Sequence, residues 1–414
     1  MEPIVIVEGK GAVVKDIKGK EYLDFFSGIA VTNLGHCHPK IIKAIQDQTS
    51  KLFHCSSRYY TLPVVSLAEK IASITPTGLN KFFFCSSGAE AIEGSIKLAK
   101  KYAYKKGGLG TELVALEGSF HGRTALTLSL TGMKKHKVKL GTYANYPGVI
   151  HAPAPYCYRC ALNYPDCDIN CAKILERIFD LHSTGDVAAL IVEPVMGEGG
   201  IIVPPDEYLP EVQRICNKLD ILLIADEVQS GFGRCGKFFA SDIWGVQPDI
   251  ITMAKGIGSG IPLGAFVASE KVAEAFEPGD HFSTYSGNPI ICSAALANVE
   301  ALIEDKVPQN ADRIGKYMLE ELKGLFEKYE SIGEIRGKGL MIGIELVSNQ
   351  SKKTPDSKKA AKIKEECMKR GVLIGTGGIY NNVLRLQPPL IIKEEQTHHV
   401  LNILDISFKT VDHG

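Results

Sequence analysis

Residues 221–262 read ILLIADEVQSGFGRCGKFFASDIWGVQPDIITMAKGIGSGIP, and this stretch decides the fold. Two apolar runs in it, 221–225 and 250–254, have the length and composition of buried strands. The first run is followed by Asp226 and the second by Lys255. Because ligands bind beyond the carboxyl ends of strands in open α/β sheets, we expect this acid and this lysine to share a ligand site.

The composition excludes several classes of protein. The chain has 414 residues, enough for two domains, and its 47 basic and 47 acidic residues give a formal net charge of zero. A neutral chain offers no electrostatic basis for binding nucleic acid or a membrane surface. We expect no membrane span and no secretory signal. Eleven cysteines in so long a chain predict buried thiols in a reducing cytoplasm.

The order of the patterns predicts the fold class. Strand and helix patterns alternate from about residue 80 to residue 270. This alternation indicates an α/β domain with a mostly parallel sheet that helices cover on both faces. Residues 4–26 predict a short meander of strands. After Asp305, a long charged helix and further short strands and helices predict a smaller α+β domain.

Two further segments carry residues suited to a ligand. The segment Ser86–Ala91 follows a β run and opens a helix, so its backbone N–H groups and the positive helix end can hold an anion. A plain N-cap at Ser87 explains the same pattern equally well. The segment Gly118–Thr124 contains aromatic, imidazole and guanidinium groups, which can stack on a flat ring and bind a carboxylate.

Together these residues suit pyridoxal phosphate as a cofactor. A lysine such as Lys255 forms the Schiff base and then moves the proton at the substrate α-carbon. An acid such as Asp226 keeps the pyridine nitrogen protonated, which makes the ring an electron sink. The segment Ser87–Ala89 offers a helix N-terminus for the phosphate, and Phe120 or His121 can stack on the ring.

The least regular part of the chain, residues 153–171, contains four cysteines: Cys157, Cys160, Cys167 and Cys171. Their spacing suits a tetrahedral metal site, disulfides or four unpaired thiols, and the sequence leaves these interpretations open. We expect the loop to have a structural role. A metal-binding or interaction module without catalysis is the non-enzymatic alternative, and the intact Lys255 and Asp226 argue against it.

Eight blocks of the sequence resemble, in order, the class III (ω-) aminotransferases of pyridoxal-phosphate fold type I, which include 4-aminobutyrate, ornithine and acetylornithine aminotransferases. The blocks are Gly28–Pro39, Ser87–Ala91, Gly118–Thr124, Glu193–Gly200, Asp226–Gly233, Lys255–Gly264, Thr284–Pro289 and Arg385–Leu390. The resemblance covers nearly the whole chain. It implies a large domain, residues 61–305, with a seven-stranded sheet. It also implies a smaller α+β domain built from residues 1–60 and 306–414.

The resemblance implies roles around the cofactor. Lys255 resembles the Schiff-base lysine, and Asp226 resembles the partner of the pyridinium. Thr284 resembles a threonine that reaches the phosphate of the neighbouring subunit, which implies a homodimer with shared active sites. The implied cofactor contacts are Ser87, Gly88, Ala89, Phe120, His121, Glu193, Asp226, Val228, Gln229, Lys255 and Thr284.

The implied substrate contacts are Ile29, Arg123, Glu198 and Arg385. Arg385 resembles the arginine that binds the substrate carboxylate, and Glu198 resembles the acid that pairs with it when the donor amine is distal. Arg123 stands where related enzymes often hold a second carboxylate. These roles imply transfer of an amino group from an ω-amino acid of the 4-aminobutyrate or ornithine type to a 2-oxo acid such as 2-oxoglutarate.

One part of the sequence departs from the common 4-aminobutyrate aminotransferases. The run Pro155-Tyr156-Cys157-Tyr158-Arg159-Cys160 looks more like a branch that also includes amino-acid racemases and epimerases. A racemase uses the same cofactor and lysine, and it needs a second proton donor on the opposite face of the substrate. The sequence identifies no such donor, so amino transfer is the main prediction and racemisation is the alternative.

Overall fold

The structure, a computed structural model, describes residues 3–413 of the chain. The strands are β1 Ile6–Lys10, β2 Val13–Asp16, β3 Glu21–Asp24, β4 Leu79–Cys85, β5 Glu112–Leu116, β6 Val149–Ala152, β7 Val187–Val192, β8 Leu222–Asp226, β9 Ile250–Met253, β10 Gly264–Ser269, β11 Ile332–Lys338, β12 Met341–Asn349, β13 Thr354–Pro355, β14 Val372–Leu373, β15 Gly375–Gly377 and β16 Val383–Leu386.

The helical segments are α1 Ser27–Ala30, α2 Pro39–Thr49, α3 Leu62–Ala72, α4 Gly88–Lys105, α5 Ala125–Leu130, α6 Asn170–Leu181, α7 Tyr208–Leu219, α8 Glu270–Ala273, α9 Pro289–Glu304, α10 Val307–Lys328, α11 Ser357–Lys369 and α12 Glu394–His413. Within residues 3–413, no helix is long and apolar enough to cross a lipid bilayer.

A seven-stranded sheet forms the centre of the molecule, in the order β4-β10-β9-β8-β7-β5-β6. β10 runs antiparallel to its neighbours β4 and β9, and the other pairs are parallel. β4 therefore points in the same direction as β9, and the carboxyl ends of all strands except β10 lie at one edge. The predicted mostly parallel sheet is confirmed, and the loops that follow its strands meet at that edge.

Helices cover both faces of this sheet because its strands are apolar on both sides. In β5, Leu113 and Ala115 belong to the core beneath α4, whereas Val114 and Leu116 belong to the core beneath α6 and α7. Every residue of β5 and β8 is buried. A strand packed on both faces cannot slip by one residue without exchanging the two cores, so the register is fixed.

The sequence patterns predict neither β6 at the edge of the sheet nor the antiparallel strand β10. β10 is rich in small residues because it passes close to the loop that follows β4. A Cβ atom on Gly264 would lie 2.2 Å from the carbonyl oxygen of Ser87. Such a spacing needs glycine, and it fixes the position of the segment that opens α4.

Both ends of the chain contribute to a smaller α+β domain. β1, β2 and β3 form an antiparallel meander, and β3 pairs in parallel with β14, so that Leu23 lies opposite Val372. A second sheet has the order β11-β12-β16-β15, with β13 beside β12, and α10 packs against its edge strand. The predicted small domain from both termini is confirmed. The limits at residues 60 and 305 stay predictions.

A buried arginine joins the large domain to the small one. Arg234 is fully buried and donates to the carbonyl oxygens of Leu340 and Pro388, at 3.0 and 2.5 Å. It also donates to Asn33 Oδ1 at 2.9 Å. Burial lowers the pKa of Arg234 to about 9. One guanidinium thus holds together the N-terminal segment, the loop after β8 and the small domain.

α10 packs so closely against the turn before β12 that Gly315 has no room for a side chain. A Cβ atom there would lie 2.0 Å from the carbonyl oxygen of Gly339. We expect Gly315→Ala to lower the free energy of unfolding by roughly 1–3 kcal/mol. Gly324, on the same helix, is exposed with nothing within 4 Å, so Gly324→Ala is the matched control. It is expected to raise that free energy by about 0.5–1 kcal/mol. Denaturant unfolding measures both, and equal midpoints would contradict this packing.

Candidate active site

A cavity of about 380 Å³ opens at the carboxyl edge of the central sheet. It is lined by every residue predicted to contact the cofactor except Thr284, which is exposed. The lining members of that set are Ser87, Gly88, Ala89, Phe120, His121, Glu193, Asp226, Val228, Gln229 and Lys255. They follow five different strands, so the parallel sheet brings together residues that are far apart in the sequence.

Asp226 is the last residue of β8, and three donors hold its buried carboxylate. His121 Nδ1 lies 2.7 Å from Oδ2, while the backbone N–H of Val228 and the hydroxyl of Thr252 donate to Oδ1 at 3.1 and 3.3 Å. Phe120 and His121 are the two residues expected to stack on the cofactor ring. The imidazole of His121 contacts the carboxylate of Asp226, so Phe120 is the better candidate for stacking. A carboxylate held in this way suits a protonated ring nitrogen as its partner.

Lys255 follows β9 by two residues and has a left-handed backbone, with φ of +46°. Burial lowers the pKa of Lys255, and the nearby Arg385 lowers it further, while Glu198, Asp226 and Glu193 oppose this shift. A lowered pKa increases the fraction of neutral amine, which is the form that attacks a carbonyl carbon.

The start of α4 faces the cavity and suits an anion. Ser87 caps the helix, because its side chain accepts from the backbone N–H of Glu90 at 3.2 Å. A Cβ atom on Gly88 would lie 3.0 Å from Val228 Cγ1 and 3.4 Å from Ala254 Cβ. The N-cap and the anion site are therefore compatible, since glycine keeps the backbone N–H groups accessible at the positive helix end.

Glu193 ties together two loops of the site. Its carboxylate accepts from the backbone N–H groups of Phe120 and Gly197, both at 2.8 Å. Burial raises the pKa of Glu193 to about 7, with a further contribution from Asp226 and an opposing one from His121. Glu193 thus fixes the position of the aromatic ring predicted to stack on the cofactor.

The small domain orients Gln229. Its Oε1 accepts from Gln387 Nε2 at 3.0 Å, and both side chains are buried. A Cβ atom on Gly197 would lie 2.2 Å from Gln229 Oε1, so the glycine leaves the space that this side chain occupies.

The predicted substrate residues lie outside the lining of this cavity, and two of them form an ion pair. Arg385 Nη1 donates to Glu198 Oε1 at 2.5 Å, and the guanidinium lies 5.2 Å from the ring centroid of Phe26. Burial alone would raise the pKa of Glu198, but the charges of Arg385 and Lys255 lower it below its usual range. Glu198 is therefore ionised at neutral pH and covers Arg385.

Ile29 lies in α1, which is a single left-handed turn. Its four residues have φ of +45° to +70°, and Ile29 itself has +70° and is exposed. A β-branched residue in this conformation is strained. The side chain of Asp24 holds the start of the turn by accepting from the backbone N–H groups of Phe26 and Ser27, at 3.0 and 2.7 Å.

Two basic residues near Arg123 were missed by the sequence analysis. Arg123 lies 5.4 Å from the ring centroid of Phe120, and its Nη1 lies 3.4 Å from His136 Nδ1. Burial lowers the pKa of both Lys135 and His136. The one signal in the sequence is the basic run Lys134–Lys137, which is more typical of a solvated face.

All four cysteines of the 153–171 loop are free thiols in the structure. In the part of the chain that the structure describes, no three His, Cys, Asp or Glu side chains form a group that could hold a metal ion. Cys171 packs in the core beneath α6, and Cys160 and Cys171 both line a small cavity. In the structure, the four cysteines of this loop are therefore unpaired thiols that form neither a disulfide nor a metal site within the described residues.

The residues around the large cavity fit pyridoxal phosphate. The site combines a helix N-terminus without a Cβ atom at Gly88, a buried carboxylate at Asp226 and a partly buried lysine with a lowered pKa at Lys255. These three groups match the phosphate, the ring nitrogen and the aldehyde carbon of the cofactor. The fold and the site define an enzyme that uses this cofactor.

Comparison with known proteins identifies the family. The chain matches the family model described as Aminotransferase class-III over residues 1–407. An acetylornithine aminotransferase of Methanocaldococcus jannaschii is 44% identical over 414 residues, covering 99% of this chain and 94% of the relative. A leucine/methionine racemase of Thermococcus litoralis is 38% identical over 417 residues, covering 100% and 92%. A solved (S)-enantioselective ω-transaminase of Thermomicrobium roseum is 34% identical, with a TM-score of 0.93 and coverage of 99% and 93%.

This chain belongs to the class III aminotransferases, and it is a transaminase that depends on pyridoxal phosphate. The predicted family, fold type, enzyme class and cofactor are confirmed. The roles of individual residues in the site stay predictions.

Replacing Glu198 tests the electrostatic control of Lys255. Because the charge of Glu198 raises the pKa of Lys255, Glu198→Gln is expected to lower that pKa. Covalent attachment of pyridoxal phosphate to the apoenzyme, followed by absorbance, is then expected to accelerate at a lower pH than in the wild type. Arg385→Met is expected to move the profile to higher pH, because Arg385 lowers the pKa of Lys255. The exposed Glu207→Gln is the control. A profile of Glu198→Gln displaced to higher pH would contradict this account.

Proposed function

We propose that this transaminase takes its amino group from a donor whose reacting amine lies far from its carboxylate, of the ornithine, acetylornithine or 4-aminobutyrate type. We propose a 2-oxo dicarboxylic acid such as 2-oxoglutarate as the acceptor. The ion pair between Arg385 and Glu198, with a 2.5 Å contact, carries this proposal. With this ion pair formed, Glu198 occupies the guanidinium of Arg385, which would otherwise bind the α-carboxylate of a substrate.

The two half-reactions place different groups near Arg385. A distal amine reacts with no carboxylate beside it, so Glu198 can remain on Arg385 and neutralise a buried cation. The acceptor 2-oxoglutarate has a carboxylate next to its reacting carbonyl, and that carboxylate requires a free Arg385. The second carboxylate of the acceptor then lies near the mouth of the site, where the exposed Arg123 is a suitable partner.

The residues of the cavity supply the proton transfers. Bound pyridoxal phosphate withdraws electrons from the substrate carbon that carries the amine. Lys255, as a neutral amine, would remove the proton from that carbon and deliver it to the cofactor side of the C–N bond, because returning it to the same carbon would give no amino transfer. The carboxylate of Asp226 would face the ring nitrogen, and Phe120 and Val228 line the cavity in which the ring would lie.

The relatives support a distal-amine donor. Acetylornithine aminotransferases are among the most similar curated proteins, and ω-transaminases are among the similar solved structures. The proposed compartment is the cytoplasm, where reduced thiols such as the eleven cysteines of this chain persist.

We propose that the enzyme is a homodimer with shared sites. Thr284 is exposed, and so are the apolar side chains of Phe53, Phe282 and Tyr285 in the two segments that meet there. These neighbours belong together, because Asn288 Nδ2 donates to the carbonyl oxygen of Phe53 at 3.1 Å. A second copy would bury this surface and bring Thr284 to the partner's phosphate site. Sedimentation measures the assembly, and a fully active monomer would contradict it.

Glu198→Ala tests the proposed function. Without the acid, Arg385 is open to α-carboxylates in both half-reactions. We expect the ratio of kcat/KM for 4-aminobutyrate or acetylornithine to kcat/KM for glutamate or alanine to fall about tenfold, equivalent to about 1.4 kcal/mol. Steady-state assays with each donor measure the ratio, and Glu207→Ala is the matched surface control. An unchanged ratio would exclude Glu198 as the residue that selects the donor.

Racemisation is the second candidate function, because a relative that matches this chain over its whole length is a leucine/methionine racemase. The two functions differ in what they require. A transaminase needs a 2-oxo acid for turnover, whereas a racemase turns over with a single amino acid.

Incubating the holoenzyme with [α-²H]leucine or [α-²H]alanine, without any 2-oxo acid, separates the two functions. We expect no catalytic formation of the D-amino acid, and product formation that depends on added 2-oxoglutarate. Chiral chromatography and mass spectrometry measure both. Deuterium loss accompanied by loss of chirality would establish racemisation instead.

A further inference from the structure

Lys135 is a half-buried lysine whose ammonium contacts the loop at 378–381. Its ammonium donates to the carbonyl oxygen of Gly378 at 2.8 Å and to Asn381 Oδ1 at 2.7 Å. Within residues 3–413, no ion pair of 4 Å or less joins Lys135 to a carboxylate. An ammonium has three N–H donors, and these two contacts leave one for a further acceptor. Burial removes part of the hydration of this ammonium and costs free energy, so a function that offsets this cost is expected.

A single residue, Gly378, connects Lys135 to the loop that carries Glu198. The backbone N–H of Gly378 donates to the carbonyl oxygen of Glu198 at 3.1 Å, while the carbonyl oxygen of Gly378 accepts from Lys135. The two loops touch, since a Cβ atom on Gly200 would lie 3.1 Å from Gly378 Cα. The ammonium of Lys135 and the backbone of Glu198 are therefore on opposite sides of one residue.

The proposed function leaves Glu198 without a partner for half of the cycle. When a substrate carboxylate takes Arg385, the carboxylate of Glu198, which is only 20% exposed, must leave the ion pair. A buried carboxylate without a partner is strongly destabilised. Lys255 is occupied at the reacting carbon, and Arg123 is exposed and lies against Phe120 and His136.

We infer that Lys135 receives the carboxylate of Glu198 when a substrate carboxylate takes Arg385. This inference rests on the proposed function, and it makes Lys135 a positioning residue that determines how readily the acceptor enters. The loop at 378–381 already holds the ammonium of Lys135 while Glu198 is paired with Arg385. The partner that Glu198 contacts after leaving Arg385 is therefore in position before it moves. Burial lowers the pKa of Lys135, and Glu198 is the group whose charge opposes this. An approaching Glu198 therefore stabilises the protonated lysine.

The test is a double-mutant cycle on binding of glutarate, an unreactive dicarboxylate of the same length as the acceptor, to the holoenzyme. We expect Lys135→Met to weaken glutarate binding roughly tenfold in the wild-type background, as for loss of a partly buried charge pair. In the Glu198→Ala background, the same substitution is expected to change binding by less than about twofold, because no carboxylate needs a new partner. Isothermal titration calorimetry measures each dissociation constant.

Two further variants separate this role from a structural one. Lys134→Met, an exposed neighbour in the same basic run, is expected to leave glutarate binding unchanged. Lys135→Arg, which keeps the charge, is expected to bind glutarate within about threefold of the wild type. The thermal unfolding midpoints of all variants show whether they are folded.

Two results would overturn the inference. An equal loss in the Glu198→Ala background would mean that Lys135 binds the dicarboxylate itself. No loss in the wild-type background would mean that Glu198 finds another partner. Neither result bears on the proposed donor, because glutarate binding involves no donor, and the donor ratio of Glu198→Ala decides that question separately.

Discussion

The parallel pairing of β8 with β9 is the constraint on which the active site depends. Its register places Asp226 opposite Thr252, whose hydroxyl donates to the acid, and the chain then reaches Lys255 three residues later. The positions of the two residues predicted to hold the ring nitrogen and the aldehyde carbon of the cofactor are therefore set by backbone hydrogen bonds in a strand pair buried on both faces. A shift of one residue would turn Asp226 into the core and exchange the apolar residues of the two faces. The same strand register is therefore required for core packing and for the position of Asp226 in the active site.

The charges of the site are arranged so that each buried group has a compensating neighbour. Asp226 has His121, Glu198 has Arg385, and Glu193 has two backbone donors. Because these groups are close together, the protonation of Lys255 depends on several of them, and moving one carboxylate changes the others. Under the proposed function, this coupling lets one cavity accept substrates whose carboxylates lie in different places, because a change in the position of one internal charge changes the charge balance of the site.

Much of the site could be predicted from the sequence because strand ends leave a clear pattern. An apolar run that stops at one ionisable residue identified Asp226 and Lys255, and small residues at a helix start identified Gly88. Lys135 could not be found in this way, since a basic run looks the same whether a lysine is solvated or turned inward. β10 was missed because an antiparallel strand inserted among parallel ones has no separate signal. For Thr284, which is exposed in the structure, the sequence suggests a role only through the family resemblance, and that role stays a prediction.

The left-handed turn at 27–30 places strain next to the active site. Left-handed residues other than glycine cost about 1–2 kcal/mol each, and here Ser27, Ile29 and Ala30 all adopt this conformation. The turn is retained because Asp24 and the small domain hold it, and it presents Ile29 outward. Folding stability and the predicted substrate contact of Ile29 therefore make opposite demands on this turn. Glycine or asparagine at residue 29 would relax the backbone, but it would also remove the apolar side chain that the strain keeps in position.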